Sequence, residues 1–477
     1  MFARILRHDW RMLRADLAIL AVAVIFGTAI ALALANGAGW TAGREAVLAG
    51  ALAEEEERFA ELQAEIHHLE RDGGRVSPFR DPRNPSTLGH SRGGRYAVMP
   101  PGPLAAVSIG QSDLLPSYYR MSMEARELMA SAAELENPHR LLAGRFDLAF
   151  VIIYLYPLLI LVLGYNLLSA EKEQGTLTLT LSQPVRLRTI VAAKVILRGA
   201  VLLGLAVALC ALGLVLARTG TGDGTWLPRL ALWCLVVAAY GGFWFALAAL
   251  IASFGRPSAT NAMVLAGAWL VLVVILPASL NLAVTTFHPV PSRVQMIQAI
   301  RLASDEATAA GSRVLAQYYE DHPELAADTT ERAMTDFSLI RVAVNDEVER
   351  QVQPVVLRYH TQLEAQQRAV SRLRYLSPAI VAQDAMNDIA GTGTARHRHF
   401  VALVDDYHRE WREFFVPLIF QRARVTTPET IPRFAFREEP FRGVVARTLT
   451  GVAALALPAG LLAWAGLRRL RRFPVTA

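Results

Sequence analysis

Six stretches of the chain reach the length and apolarity that a lipid bilayer demands: residues 17–35, 148–168, 199–217, 230–254, 261–285 and 448–467. A helix needs roughly 20 mostly apolar residues to cross a hydrocarbon core about 30 Å thick. None of the six shows the strict alternation of a lipid-facing barrel strand. Helices satisfy their own backbone hydrogen bonds where water is absent, so the pattern predicts six transmembrane helices.

Two long polar segments interrupt the apolar pattern, 36–147 and 286–442. In the first, Leu48, Leu52, Phe59, Leu62, Ile66 and Leu69 recur at helical spacing and predict a helix from Arg44 to Arg71, ended by Gly73-Gly74. A Pro/Gly-rich stretch from Pro78 to Pro116 reads as loop, and a short helix from Met123 to Glu136 leads to the second span. The second segment predicts amphipathic helices near 292–320, 330–352, 354–375 and 396–422. Strand signals are sparse. The expected fold is an all-α polytopic membrane protein: six transmembrane helices with two mainly helical extracytoplasmic insertions.

Composition agrees with a membrane chain. Apolar residues make up 53% and charged residues 19%, against roughly 25% charged in an ordinary soluble domain. The net charge of +6 does not point to nucleic acid, because the arginines stand beside the spans. Their placement sets an orientation instead. With the N-terminus inside, segments 1–16, 171–198, 255–256 and 468–477 carry four, five, one and four basic residues. The short outer loop 218–229 carries two. Both termini are therefore expected in the cytoplasm, with the chain in a bacterial inner membrane and the lipid bilayer as its surroundings. The first span has the outline of a signal peptide, with Ala33-Leu34-Ala35 in the place of a cleavage site. Its 19 residues exceed the roughly 7–15 of a signal core, so a retained span is expected.

Chemistry-bearing clusters are few. Cys210 and Cys234 both fall in apolar stretches and read as small buried residues. His397, His399 and His408 with Asp405 and Asp406 offer metal-binding side chains, but on a segment that reads as a helix the solvated face is the expected role. His67-His68, near Glu65 and Glu70, is a weaker grouping still. Glu54 to Glu57 reads as a solvated helix face. No nucleophile, base or metal constellation of an enzyme is recognisable. The span centres carry no charge; Lys194, Arg198 and Arg447 lie at span edges, where long side chains reach the interface. Tyr154, Tyr156, Tyr165, Asn166, Tyr240 and Asn261 are the polar positions in or beside spans, suited to interhelical hydrogen bonds. Gly241-Gly242 invites close helix contact.

The most informative segment joins spans two and three: Ser169-Ala170-Glu171-Lys172-Glu173-Gln174-Gly175, then Thr176-Leu177-Thr178-Leu179-Thr180-Leu181, then Ser182-Gln183-Pro184. Gly175 permits a sharp reversal. The alternating stretch fits either a strand or a short surface helix that offers leucines to a partner and hydroxyls to water. Arg186, Arg188 and Lys194 are expected to hold the next helix start among lipid headgroups. This loop resembles the signature of the ABC-2 family of transporter permeases, with Glu171, Lys172, Glu173, Gly175, Thr176, Leu177 and Pro184 matching. Asn137-Pro138 with Leu141 to Asp147, Pro100-Pro101 with Gly110 to Asp113, and Asp405 to His408 with Trp411 are similar to a subfamily bearing two large outer insertions. That subfamily looks like the permease serving nitrous-oxide-reductase maturation.

The resemblance implies a permease without catalytic residues, coupled through this loop to a separate ABC ATPase dimer and paired with a second permease copy or paralogue. A Gly-Lys-Ser/Thr sequence is absent, since Lys172 follows Glu171 and Lys194 follows Ala193. No cofactor or metal is expected in this chain; ATP and Mg would bind the partner. Export is the direction the family implies. The alternatives are a mechanotransmission complex acting on a periplasmic partner and an ATP-independent membrane scaffold or sensor.

Overall fold

The computed structural model describes residues 2–15, 17–72, 81–124, 146–183, 185–217, 224–290, 293–322 and 336–473. Within these, six helices are long and apolar enough to cross a membrane, and the chain is an all-α polytopic membrane protein. An amphipathic helix α1 (Phe2–Ala15) precedes α2 (Leu17–Asp72). The remaining spans are α3 (Leu148–Glu173), α5 (Leu187–Ala217), α6 (Trp226–Ala252), α7 (Ser258–Phe287) and, at the end of the chain, α13 (Phe441–Arg469). A short helix α4 (Thr176–Leu181) stands between α3 and α5.

The centre of the bundle is α6, which packs against α3, α5, α7 and α13. Its Trp233, Tyr240 and Trp244 are fully buried. Tyr240 donates to the Ile153 carbonyl at 3.0 Å, which satisfies a hydroxyl that hydrocarbon would otherwise leave bare. Helix α2 is the main departure from the sequence reading. The predicted span 17–35 and the predicted helix Arg44–Arg71 are one unbroken helix of 56 residues, about 84 Å at 1.5 Å per residue. Gly37, Gly39 and Gly43 do not interrupt it. Gly73-Gly74 and most of the predicted helix Met123–Glu136 lie outside the described residues; Met123 and Glu124 are in a bend.

The two insertions form one domain around a shared core. Leu62 and Ile66 of α2 meet Leu88 of the Pro/Gly-rich stretch and Met121 just beyond it, together with Leu339, Phe400, Trp411 and Phe415 of the second insertion. The second insertion comprises α8 (Arg293–Ala309), α9 (Gly311–Asp321), α10 (Phe337–Leu373), α11 (Pro378–Ala390) and α12 (Thr394–Phe420). The helices predicted at 330–352 and 354–375 are joined into α10, which runs through Pro354. The stretch predicted as plain loop is more ordered than its Pro and Gly content suggested. It holds β1 (Tyr96–Val98), paired antiparallel with β2 (Tyr118–Arg120) so that Tyr96 faces Arg120.

Helix α11 had no counterpart in the sequence reading. Its Val381, Ala382, Ala385, Met386 and Ile389 belong to the core of the spans rather than to that of the insertions. Ser377 donates to the Leu272 carbonyl halfway along α7 at 3.0 Å. Arg229 of α6 donates to the Ile389 carbonyl at 2.7 Å. Leu104 and Val107 of the Pro/Gly-rich stretch join the same core, and Ser108 is bonded to Asn387 at 2.6 Å. One end of the bundle, the insertion end, is thus covered by α11 and residues 104–109. The other, the loop end, carries α4.

Candidate functional site

The loop between the second and third spans is a built element, not a solvated connector. Helix α3 runs through Glu173; the Gly175 amide then donates to the Lys172 carbonyl at 3.1 Å. Gly175 takes φ 71° and ψ 3°, a left-handed conformation that costs little only without a Cβ. Nothing lies within 4 Å of where its Cβ would stand, so the requirement is conformational and not steric. Thr176 to Leu181 then form helix α4, which resolves the strand-or-helix alternative.

The threonine hydroxyls, though on an exposed surface, bond back to the local backbone. Thr176 donates to the Glu171 carbonyl at 3.2 Å, Thr178 to that of Gly175 at 3.0 Å and Thr180 to that of Thr176 at 3.0 Å. On a helix the leucines separate, because residues two apart lie on nearly opposite faces. Leu177 is 1% exposed and sits among Leu168, Leu187, Val191, Leu470 and Phe473. Leu179 is 74% exposed at the tip. Pro184 lies outside the described residues.

The charged residues at the base tie this helix to three other elements. Lys194 of α5 is buried, with its Nζ 2.8 Å from Glu171 Oε1 and 2.9 Å from the Leu167 carbonyl. It therefore does not reach headgroups as the sequence reading expected; a buried partner outcompetes the interface. Lys172 donates to the Gly255 carbonyl, between α6 and α7, at 3.2 Å. Glu173 accepts from the Ser258 amide at 2.7 Å and from its hydroxyl at 3.0 Å. That places a carboxylate at the positive start of α7. Ser258 also bonds Ser169 at 2.8 Å, and Arg469 of α13 stacks on Phe254 with its guanidinium carbon 3.8 Å from the ring centre. Glu171, Lys172, Glu173, Gly175, Thr176 and Leu177 are thus brought together.

Sequence reasoning missed what they rest on: Ser258, Leu470 and Phe473. A signal existed for the last two, since Leu467, Leu470 and Phe473 repeat every third residue through an arginine-rich tail.

The other sequence candidates are structural. His399 bonds the Arg437 carbonyl at 2.8 Å and His408 the Glu124 carbonyl at 3.1 Å. His397 is half-buried beside Phe400, and desolvation holds its pKa down to about 4. Among the described residues no three His, Cys, Asp or Glu side chains cluster as metal ligands. Glu55 departs from the solvated-face reading: it pairs with Arg95 at 2.9 Å and accepts from the Tyr96 amide at 2.6 Å. Asn261 donates to the Tyr165 carbonyl at 3.3 Å and Asn166 meets Arg198 at 3.5 Å, both between helices. Gly241 lies against Tyr156, whose hydroxyl would be 2.5 Å from an added Cβ. Cys210 is buried and both cysteines are free.

A family model described as a domain of unknown function (DUF3526) matches residues 293–437. The matched residues run from α8 through α12 and so include α11. No curated protein matches the chain.

Proposed function

We propose that this chain is the membrane-spanning permease of an ATP-driven ABC transporter of the ABC-2 type, an exporter energised by a separate pair of ATPase subunits. The observation that carries the proposal is the form of the loop between α3 and α5. It combines an exposed tip at Leu179 with a base bonded to α5 through Glu171–Lys194 and to α7 through Glu173–Ser258. A force on α4 reaches α5, α7 and α13 without an intervening flexible segment. In this reading the loop end and both termini face the cytoplasm from a bacterial inner membrane. ATP and Mg bind the partner ATPases, and a second permease copy or paralogue completes the pathway.

A second reading is favoured by a specific pair of observations. The insertion end of the bundle is covered by α11 and residues 104–109, and α2 runs unbroken from the bundle into the insertion domain. ATP-driven motion at the loop end would then be carried along α2 to a periplasmic partner without passing cargo.

The test is purification of the chain from its native membranes in mild detergent, alongside Leu179→Glu. Leu179 is exposed, so this change leaves the fold intact. A P-loop ATPase is expected in stoichiometric yield with the wild type, and at least tenfold less with Leu179→Glu. Absence of any ATPase under conditions that preserve other complexes would sink the transporter reading and favour an ATP-independent scaffold. An ATPase retained undiminished by Leu179→Glu would instead show that α4 is not the docking element.

A further inference from the structure

A groove opens toward the membrane between α5, α6 and α13, with a volume of about 540 Å³. It runs along Val191–Leu203 of α5, Ala238–Ala249 of α6 and, on α13 and the turn that follows it, Ala456–Leu470. Along that last wall it spans about 21 Å at 1.5 Å per residue, the depth of one leaflet of a core about 30 Å thick plus its interface. Its walls are recessed because 14 of the 22 lining residues are glycine or alanine, which leave room that larger side chains would fill. We infer that this groove is a binding site for one acyl chain of an anionic phospholipid from the leaflet at the loop end.

Three observations select that occupant. The first is size. About 540 Å³ drawn out over roughly 21 Å makes a narrow slot that one extended chain can occupy. The second is charge. The loop end of the groove is closed by Leu470, which stands between the exposed Arg469 and Arg471. Arg186 and Arg188 flank Leu187, which packs on Leu470. The carboxylates of the adjoining loop are engaged, Glu171 by Lys194 and Glu173 by Ser258, so the exposed arginines leave this mouth cationic and it complements a phosphate held at headgroup depth. The third is polarity within the groove. Tyr156 is 2% exposed; its hydroxyl, against Gly241, faces the groove without a hydrogen-bond partner among the described residues. Tyr156 lies well below the mouth, at the depth of the acyl chain, where a double bond can serve as a weak acceptor for its hydroxyl.

The site abuts the coupling loop. Val191 and Leu470 line the groove and also pack around Leu177, so a seated chain supports the position of α4. This inference does not depend on the transport reading.

Two glycines allow the groove to be filled without disturbing the fold. Nothing lies within 4 Å of a Cβ built at Gly242 or at Gly460, and they stand on opposite walls. Native mass spectrometry of the purified full chain would be run with dioleoyl phosphatidylglycerol or dioleoyl phosphatidylcholine added in series. The expected result is at least tenfold tighter binding of phosphatidylglycerol, reduced at least tenfold by Gly460→Leu and by Gly242→Leu. Arg469→Gln with Arg471→Gln is expected to abolish the preference between the two lipids. Each variant's melting midpoint reports whether it has folded, and one folded groove variant suffices. Undiminished phosphatidylglycerol binding by a folded groove variant, or equal binding of the two lipids by the wild type, would overturn the assignment.

Discussion

Lys194 is one of only two lysines in the chain, and it stands two turns inside α5 with its ammonium turned back to Glu171. Its side chain is 10% exposed and that of Glu171 27%, so the pair is largely desolvated. Removing one partner of such a pair leaves an uncompensated charge and typically costs about 3–5 kcal/mol, whereas replacing both costs far less. The Glu171 Oε2 atom already lacks a partner, which puts the carboxylate at the costly end of that range once the lysine is gone. Lys194→Met should therefore destabilise the protein by about 4–5 kcal/mol, and Glu171→Gln added to it should recover more than half of the loss. Thermal unfolding in detergent measures both. A Lys194→Met variant as stable as wild type would mean that water reaches the pair and that α4 is not fixed to α5 through it.

At the scale of elements, the hydrophobic blocks were legible because bilayer thickness sets their length, and the six spans follow directly. The extent of α2 was not, since an apolar window marks where lipid ends and not where a helix ends. Its continuity depends on contacts distant in sequence. A Cβ at Gly37 would lie 2.0 Å from the Ala106 carbonyl oxygen, while one at Gly39, Gly43 or Gly50 would meet nothing within 4 Å. The one glycine is needed for close approach of the 104–109 segment; the others only lower helix propensity. Gly37→Ala should cost about 1–3 kcal/mol by forcing the segment away, and Gly39→Ala should be neutral or stabilising by up to about 1 kcal/mol. Comparing their melting midpoints checks the contact, and equal effects would refute it. Helix α11 carried a readable signature in Ser377 as N-cap, Pro378 at the first helical position and Gly391 beyond the end. Its burial among spans was hidden because a polar insertion was assigned to water as a block. In the loop, Leu177, Leu179 and Leu181 share one face of a strand, so only the choice of helix separates the buried leucine from the exposed one. The partners Lys194 and Ser258 lie 23 and 85 residues from the carboxylates they meet, and no local pattern joins them.

For the whole molecule, the junction between the two insertions holds an acid-sensitive group. His90 of the first insertion is 6% exposed. Its Nδ1 must donate to the Ser86 carbonyl at 2.8 Å, which leaves Nε2 to accept from Asn345 of α10 at 3.1 Å. The same Asn345 nitrogen donates to the Met123 carbonyl at 3.2 Å. Turning the amide to suit a protonated ring would set its oxygen against that carbonyl. Burial, with Arg341 and then Arg412 nearby, holds the His90 pKa down to about 4 from an ordinary 6.5. Since the folded value is depressed, the stabilisation is complete above pH 6.5 and is lost as pH falls toward 4, because the unfolded chain takes up the proton first. At 1.36 kcal/mol per unit the loss is about 3 kcal/mol across that window. His397, held down to a similar value by desolvation, adds a second loss of the same sign. Hydrogen exchange of the amides in 88–92 and 342–348, corrected for intrinsic rates, should show protection falling from pH 7 to pH 5. In His90→Gln the fall should be about half as steep, the remainder belonging to His397. An unchanged slope in that variant would place the acid response elsewhere and leave the junction insensitive to the pH of the space it faces.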